Sequence, residues 1–258
     1  MSDILVVIPT YDEKDNVGPI SKAILETVPD AHILFVDDNS PDGTGRTIDA
    51  LCSNDSRIHV MHKEGRFGLG RAYISGYKWA LQGSYDLIFG MDADFSHDPV
   101  EIPNFIKKSA TSDLVLGSRY VNGIRITNWP ISRLILSQLA SFYVRTITGM
   151  PILDPTGGYR CYRRETLASL NLDSIISNGY SFLVETAYTA WINGFTISEI
   201  PITFVDRRAG YSKMNMDIFK ESLWTVWKLA FRHRFRRRPL AKSPFDTPPD
   251  SPPETLKT

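Results

Sequence analysis

The chain has 258 residues, of which 42% are hydrophobic and 22% are charged, so its composition excludes collagen-like, wholly disordered and polytopic membrane proteins. Its 29 basic and 29 acidic residues give a net charge of zero, which provides no general attraction to nucleic acid. The segment before Pro9 is too short for a signal peptide, and no run reaches the roughly 18 uncharged apolar residues of a membrane-spanning helix. We therefore expect a cytoplasmic protein.

The first 120 residues alternate short apolar runs with segments of helical pattern. The apolar runs predict strands buried on both faces of a mostly parallel sheet, at residues 4–8, 33–36, 58–61, 87–91 and 114–116. The segments between them predict helices at residues 16–27, 44–52, 69–81 and 99–110, the last with Asp98 as N-cap. Repeated βα units predict one doubly wound α/β sheet with helices on both faces. Ligands are then expected at the carboxyl ends of the strands.

Longer helices follow Arg119. The pattern predicts helices at residues 131–148 and 180–191, a turn at 155–158, and a strand at 197–205 that leads into a basic loop. Together these elements define one predicted domain over residues 1–214.

Two further segments are predicted beyond that domain. Residues 215–238 combine an amphipathic helix that has an aromatic apolar face with a cluster of arginines, as in helices that lie on anionic membranes. Packing of this face on the domain, or on a partner's membrane helix, is equally expected. Residues 239–258 contain six prolines and few apolar groups, which predicts a disordered tail.

Acidic side chains follow three of the predicted strands. Glu13 follows the first, Asp38 the second, and Asp92 and Asp94 the fourth. Parallel strands bring these groups to one edge, where carboxylates repel one another unless a cation lies among them. Oxygen ligands one residue apart suit Mg²⁺ or Mn²⁺, which also bind substrate phosphates. A D-x-D motif alone is a weak signal, and its place at a strand end gives it weight.

Basic side chains that could bind phosphate lie in the second half of the chain. Arg119 ends a strand, Arg133 opens a long helix, and Arg207 and Lys213 lie on a glycine-containing loop. Singly, such groups are most often solvated. Facing a carboxylate and metal cluster, they indicate two phosphorylated substrates. No histidine shows ligand or triad spacing, and we assign none of them chemistry.

Seven motifs then make the sequence recognisable. They occur in the order "VVIPTYDEKDNV", "FVDDNSPDGT", "MDADFSHDP", "LGSRY", "DPTGGYRCYRRE", "GYSFLVE" and "FVDRRAGYSKM". In this order they resemble family 2 glycosyltransferases of the dolichol-phosphate mannose synthase type, over residues 4–232. The resemblance implies a GT-A fold and inverting transfer of mannose from GDP-mannose to a polyprenyl phosphate such as dolichyl phosphate. It also implies Mg²⁺ or Mn²⁺ as cofactor.

The resemblance also implies roles for individual residues. Phosphate groups are expected at Arg119, Arg133, Arg207 and Lys213. Nucleotide and diphosphate contacts are expected at Pro9, Tyr11, Glu13, Asp38, Asp92, Ala93, Asp94, Arg207 and Lys213. The metal is expected at Asp92, Asp94 and Ser96, where Ser96 replaces the glutamine of some relatives and is a weaker ligand.

Two alternatives stay open at this point. One keeps the chemistry and changes the donor, as in transfer of glucose from a UDP-sugar to a polyprenyl phosphate. The other is a noncatalytic subunit that binds a nucleotide sugar. The expected place is peripheral, on the cytoplasmic face of a membrane, which is the endoplasmic reticulum in a eukaryote. The sequence leaves open whether a membrane-anchoring subunit takes part.

Overall fold

A seven-stranded sheet forms the centre of the protein in a computed structural model, which describes residues 3–175, 177, 179–205 and 224–231. The described strands are β1 (Ile4–Thr10), β2 (His32–Asp37), β3 (Ile58–His62), β4 (Leu87–Gly90), β5 (Leu114–Ser118), β6 (Ile126–Thr127), β7 (Arg160–Arg163), β8 (Ile197–Pro201) and β9 (Phe204–Val205). Strands β6 and β9 form a separate pair, and the other seven form the central sheet. The helices are α1 (Lys14–Thr27), α2 (Thr44–Asn54), α3 (Leu69–Gln82), α4 (Ile102–Ser109), α5 (Ile131–Thr148), α6 (Arg164–Ser169) and α7 (Tyr180–Ile192). Short 3₁₀ turns at Pro99–Glu101 and Leu172–Ser174 complete the described elements, and residues 224–231 are also helical.

The sheet has the strand order β3-β2-β1-β4-β7-β5-β8. Strands β3, β2, β1 and β4 are parallel to one another, and β5 is parallel to β8. Their carboxyl ends therefore meet at one edge, which we call the carboxyl edge. Only β7, among the strands of this sheet, runs antiparallel to its neighbours.

Both faces of the sheet are buried. Side chains alternate along β1, so that Leu5 and Val7 pack on one face and Val6 and Ile8 on the other. Helices α3 and α7 cover the first face, and α1, α2 and α4 cover the second. The predicted mostly parallel sheet with helices on both faces is confirmed.

Most predicted elements agree with the structure within a few residues. Asp98 caps the turn at Pro99–Glu101, since its side chain accepts the backbone N–H of Val100. The strand predicted at 197–205 is wrong in extent: it divides into β8, in the main sheet, and β9, which pairs with β6. Ile202 and Thr203, which belong to neither strand, separate the two pieces.

Strand β7 is not predicted from the sequence, because arginines at both ends hide its apolar pattern. Arg160 is fully buried, and its guanidinium donates to the carbonyl oxygens of Pro155, Gly157 and Leu183 at 2.8, 2.7 and 2.6 Å. Since β7 runs against β4 with Arg160 opposite Gly90, the turn before β7 lies beside the loop after β4. This insertion brings the "DPTGG" motif to the carboxyl edge.

The structure describes only part of the C-terminal segments that the sequence predicts. Within the predicted segment 215–238, the described residues 224–231 form a helix. The boundary at 214, the basic loop and the tail at 239–258 lie outside the described residues. No helix in the described ranges is both long and apolar enough to cross a membrane.

The contact between α3 and β1 predicts the effect of a small substitution. A Cβ on Gly76 would lie 2.4 Å from Cγ1 of Val7. We expect Gly76→Ala to lower the free energy of unfolding by about 1–3 kcal/mol, because helix and sheet must separate to admit the methyl group. Urea denaturation followed by circular dichroism measures the change.

Gly18→Ala is the matched control, because α1 offers it open space with nothing within 4 Å of the added Cβ. Alanine is the better helix former by roughly 1 kcal/mol, so this variant should be as stable as the parent or more stable. Equal destabilisation by the two substitutions would contradict the packing described for α3.

Candidate active site

The loop after β4 carries the two aspartates of the D-x-D motif. Asp92 is half-buried, whereas Asp94 is only 5% exposed. Asp94 Oδ1 accepts the backbone N–H of Ser96 at 3.0 Å, which closes a tight turn. Between them Phe95 has a φ of 59°, a left-handed conformation that costs about 1–2 kcal/mol. The surrounding structure must therefore hold the loop in a shape that its backbone does not favour.

Ser96 is the third residue predicted to bind the metal. Its side chain is buried, and its hydroxyl has no hydrogen-bond partner among the described residues. Nowhere in the described residues does a group of three or more His, Cys, Asp or Glu side chains lie together so that it could hold a metal. Asp92 and Asp94 can thus supply part of a coordination shell, which suits an ion that is completed by water and substrate phosphates.

Two buried rings contact Asp92. Its backbone N–H donates to Nδ1 of His97 at 3.1 Å, and the Tyr73 hydroxyl donates to its Oδ1 at 3.4 Å. Burial lowers the pKa of His97, although the carboxylates of Asp92 and Asp94 act in the opposite direction. Burial, and then the charge of Asp92, raise the pKa of Tyr73 well above its ordinary value. Both rings are therefore uncharged at neutral pH.

Asp38 anchors the loop that leads into α3. Its Oδ2 accepts the backbone N–H groups of Phe67 and Gly68 at 2.9 and 2.7 Å. Its Oδ1 is buried and, within the described ranges, has no hydrogen-bond partner. One oxygen of the carboxylate is thus used by the protein, and the other can accept a hydrogen bond from a ligand.

Three more of the predicted nucleotide-binding residues lie in or directly after β1. Pro9 is part of the strand. The ring of Tyr11 lies 4.0 Å from the guanidinium carbon of Arg66. Glu13 precedes α1, and its Oε2 accepts a hydrogen bond from the side chain of Asn16 at 2.7 Å. The structure therefore places this group on the carboxyl edge, as the strand pattern predicts.

Arg119 is held by a buried carboxylate. Asp154 accepts hydrogen bonds from the backbone N–H, Nε and Nη2 of Arg119 at 3.0, 2.7 and 2.6 Å. Burial acts to raise the pKa of Asp154, but the charge of Arg119 and these hydrogen bonds outweigh it, so the pKa is lowered. Glu199 on β8 holds this loop in turn, because its carboxylate accepts the backbone N–H groups of Leu153 and Asp154 at 2.7 and 2.8 Å. Arg119 is a fixed cation rather than a loosely solvated one.

Arg133 and Arg119 both lie near the indole ring of Trp129. The guanidinium carbon of Arg133 is 4.1 Å from the ring centre of Trp129, and that of Arg119 is 5.5 Å from the same ring. Cations are attracted to the face of an indole ring, so Trp129 brings two positive charges together. The other predicted cations, Arg207 and Lys213, lie outside the described residues.

A cavity of about 210 Å³ joins these groups to apolar side chains. Asp92, Arg119 and Arg133 are the predicted site residues in its lining. Much of its apolar lining comes from α5, α7 and the helix at 224–231, which contribute Leu136, Ala140, Val144, Leu183, Val184, Val226 and Leu229. An anionic group and a hydrocarbon chain could therefore be bound in the same cavity.

Sequence reasoning did not find several residues of this site. Asp154 lies 35 residues from Arg119, and the only sequence signal for it is the quoted motif "DPTGGYRCYRRE". His97 and Trp129 line the cavity itself, but neither has a recognisable spacing in the sequence. Asp94, Ala93 and Ser96 are buried beside the cavity without lining it, so the structure brings only part of the predicted set together there.

Comparison with known proteins gives a family for this arrangement. Residues 5–170 match the model of Glycosyl transferase family 2. The chain belongs to this family. It is 43% identical over 235 residues to a polyprenol monophosphomannose synthase of Mycolicibacterium smegmatis, covering 90% of this chain and 89% of the relative. It is 42% identical over 231 residues to an undecaprenyl-phosphate mannosyltransferase of Micrococcus luteus, covering 89% and 95%.

A solved structure extends the comparison to the fold. The crystal structure of glucosyl-3-phosphoglycerate synthase from Mycobacterium tuberculosis, in complex with Mn²⁺, UDP and phosphoglyceric acid, superimposes with a TM-score of 0.63. It is 19% identical and covers 90% of this chain and 78% of its own. The protein is a glycosyltransferase with a GT-A fold, as the family resemblance implied.

The buried contact between Arg119 and Asp154 predicts a pH-dependent loss of stability. We expect Asp154→Asn to lower the free energy of unfolding at pH 7 by about 3–5 kcal/mol, because a neutral amide replaces the buried carboxylate that accepts three hydrogen bonds from Arg119. The folded pKa of Asp154 lies below the unfolded value of 3.8, so its stabilisation is complete above that pH and is lost as the pH falls through the folded pKa. Urea denaturation at a series of pH values should therefore show parent and variant converging only below pH 3.8.

Asp173→Asn is the control for this measurement. Its side chain is 82% exposed and pairs with Lys78 at the surface, so its loss should cost less than about 1 kcal/mol. The assignment of Asp154 fails if both variants are equally stable at pH 7.

Proposed function

We propose that this protein transfers mannose from GDP-mannose to a polyprenyl phosphate such as dolichyl phosphate, with inversion at the anomeric carbon. The observation that carries the proposal is the cavity, in which Asp92, Arg119 and Arg133 share a lining with apolar side chains. An acceptor with a phosphate head and a hydrocarbon chain matches that combination. The names of the two bacterial relatives, which specify a mannosyl group and a polyprenyl acceptor, support the same choice.

Asp38 supports a nucleotide donor. Its buried Oδ1 lacks a protein partner within the described ranges, and a buried acceptor of this kind favours an N–H donor from a ligand. Guanine presents a ring N–H and an adjacent amino group to such a carboxylate. Tyr11 and Glu13, on the same edge, complete the proposed nucleotide side of the site.

The residues present also fit Mg²⁺ or Mn²⁺. Asp92 and Asp94 offer hard oxygen ligands, and the buried hydroxyl of Ser96 has no partner in the described part of the chain. We propose that Asp94 is the principal ligand, with Asp92 on the sugar side. When bound, the ion supplies positive charge to the diphosphate.

The proposed reaction is a single in-line displacement. An oxygen of the acceptor phosphate forms a bond to the anomeric carbon, while the bond from that carbon to the donor diphosphate breaks and GDP leaves with the electron pair. A phosphate monoester has a second pKa of about 6, so the nucleophile is already mostly ionised and needs little help from a base. Arg119 and Arg133, together with Arg207 and Lys213, are proposed to hold the acceptor phosphate and offset the repulsion between two anions.

Exposed apolar side chains near the cavity suit contact with a lipid surface. On α5 they form one stripe with exposed fractions from 41% to 76%, made up of Ile131, Ile135, Leu136, Leu139 and Phe142. In the helix at 224–231, Trp224, Trp227 and Phe231 are exposed by 64%, 42% and 71%. Both elements also line the cavity. We propose that they rest on the cytoplasmic face of a membrane, so that a lipid chain can reach the cavity.

Turnover by purified protein tests the proposed activity. With GDP-mannose, Mg²⁺ or Mn²⁺ and a short polyprenyl phosphate, we expect a β-linked product from an α-linked donor, identified by NMR of the anomeric proton. Asp94→Asn should lower kcat by about 100-fold or more while the protein stays folded, because the diphosphate loses its charged surroundings.

Asp86→Asn is the control, since Asp86 lies at the opposite edge of the sheet, where its Oδ2 accepts the backbone N–H of Asp3. Turnover from UDP-glucose in place of GDP-mannose would instead support the alternative donor. Tight binding of the nucleotide sugar without any turnover would support the noncatalytic alternative.

Liposome flotation tests the membrane contact. The double substitution Leu139→Glu and Phe142→Glu should reduce binding to anionic vesicles by about tenfold or more, because two charges replace apolar groups at the lipid surface. Ser53→Glu with Asn54→Glu adds the same charge to exposed positions on α2, across the sheet, and should leave binding nearly unchanged. Equal losses in the two double variants would show that charge alone, rather than the stripe on α5, governs binding.

A further inference from the structure

We propose that His97 is a positioning residue that fixes Asp92, and thereby the loop that carries the D-x-D motif, through an acceptor atom on its neutral ring. The sequence assigns His97 no chemistry. This inference rests on the proposed function for the identity of the reaction, but the geometry that carries it belongs to the protein alone.

A hydrogen bond between Asp92 and His97 closes the loop that carries the D-x-D motif. The backbone N–H of Asp92 donates to Nδ1 of His97 at 3.1 Å. Since a backbone N–H can only donate, Nδ1 must accept, and the proton of the neutral ring is then on Nε2. Residues 92 and 97 are thus tied together across the strained turn at Phe95, whose φ is 59°.

The imidazole ring of His97 is held in place by its neighbours. His97 is 2% exposed and stacks on Tyr159, with ring centres 5.1 Å apart and planes 25° apart. Phe204 meets it edge to face at 5.8 Å. A Cβ on Gly158 would lie 3.1 Å from its Cε1, so the backbone before β7 leaves the ring little room. The acceptor atom therefore has a fixed position.

The hydrogen-bonded pair of Asp92 and His97 lies at the cavity. Asp92 and His97 both belong to its lining, and the Tyr73 hydroxyl contacts the Asp92 carboxylate from α3. Asp92 is consequently held through its backbone by one buried ring and through its side chain by another. Loss of the Nδ1 acceptor leaves the packing in place but frees the backbone at the first aspartate of the motif.

A matched pair of variants separates this role from simple packing. His97→Phe keeps an aromatic ring against Tyr159 and removes the acceptor, whereas His97→Asn loses the ring but keeps an oxygen at the position of Nδ1. We expect His97→Phe to lower kcat by about 100-fold, since small displacements of reacting groups cost rates of that size. His97→Asn should recover at least about tenfold of that loss, and KM for the donor should change less than kcat.

His62→Phe, at a histidine whose side chain is 48% exposed, controls for the loss of an imidazole elsewhere. Two readouts do not depend on turnover. In ¹⁵N-histidine NMR of the parent protein, His97 should carry its proton on Nε2. Mn²⁺ binding in the presence of GDP, followed by electron paramagnetic resonance, should weaken in His97→Phe and recover in His97→Asn.

These outcomes also distinguish the inference from the proposed function. If the parent protein transfers no sugar, the proposed reaction fails, while the NMR and Mn²⁺ measurements still test His97. The inference is overturned if a folded His97→Phe variant turns over within threefold of an active parent, or if His97 carries its proton on Nδ1. Should His97→Phe not fold, the tautomer in the parent and the Mn²⁺ affinity of His97→Asn decide the matter.

Discussion

The carboxylates along the carboxyl edge of the sheet need hydrogen-bond donors or cations, and this need is the constraint that the surrounding structure satisfies. Parallel β1, β2 and β4 end side by side, so the acidic residues that follow them lie along the same edge. Asp38 is held by backbone N–H groups, Asp94 by the N–H of Ser96, and Asp154 by Arg119. Each of these three carboxylates is thus stabilised by donors of its own.

Local patterns were sufficient to predict the parallel part of the fold. Apolar runs of strand length identified five strands, and the caps and helical periodicity between them identified the covering helices. Because parallel strands share a direction, the same pattern predicts Glu13, Asp38 and Asp92 on one edge. The family resemblance implies roles for these residues, which spacing alone leaves open.

The rest of the site depends on contacts that no local pattern records. Arg160 is buried among carbonyl oxygens, so β7 lacks the apolar alternation of a strand, and its antiparallel insertion was not predicted. That insertion places Asp154 against Arg119 and Gly158 against His97. His97 is not predicted for a related reason: its partner is a backbone N–H, which any residue except proline would offer at position 92.

The indole ring of Trp129 lies near both Arg119 and Arg133, at 5.5 and 4.1 Å. Because one side chain sets the surroundings of two cations, these charges are not independent variables. A substitution at Trp129 alters both at once, and a compensating change at either arginine can restore only one of them. During evolution or engineering toward a different acceptor head group, this part of the cavity therefore has to change as a unit of three residues.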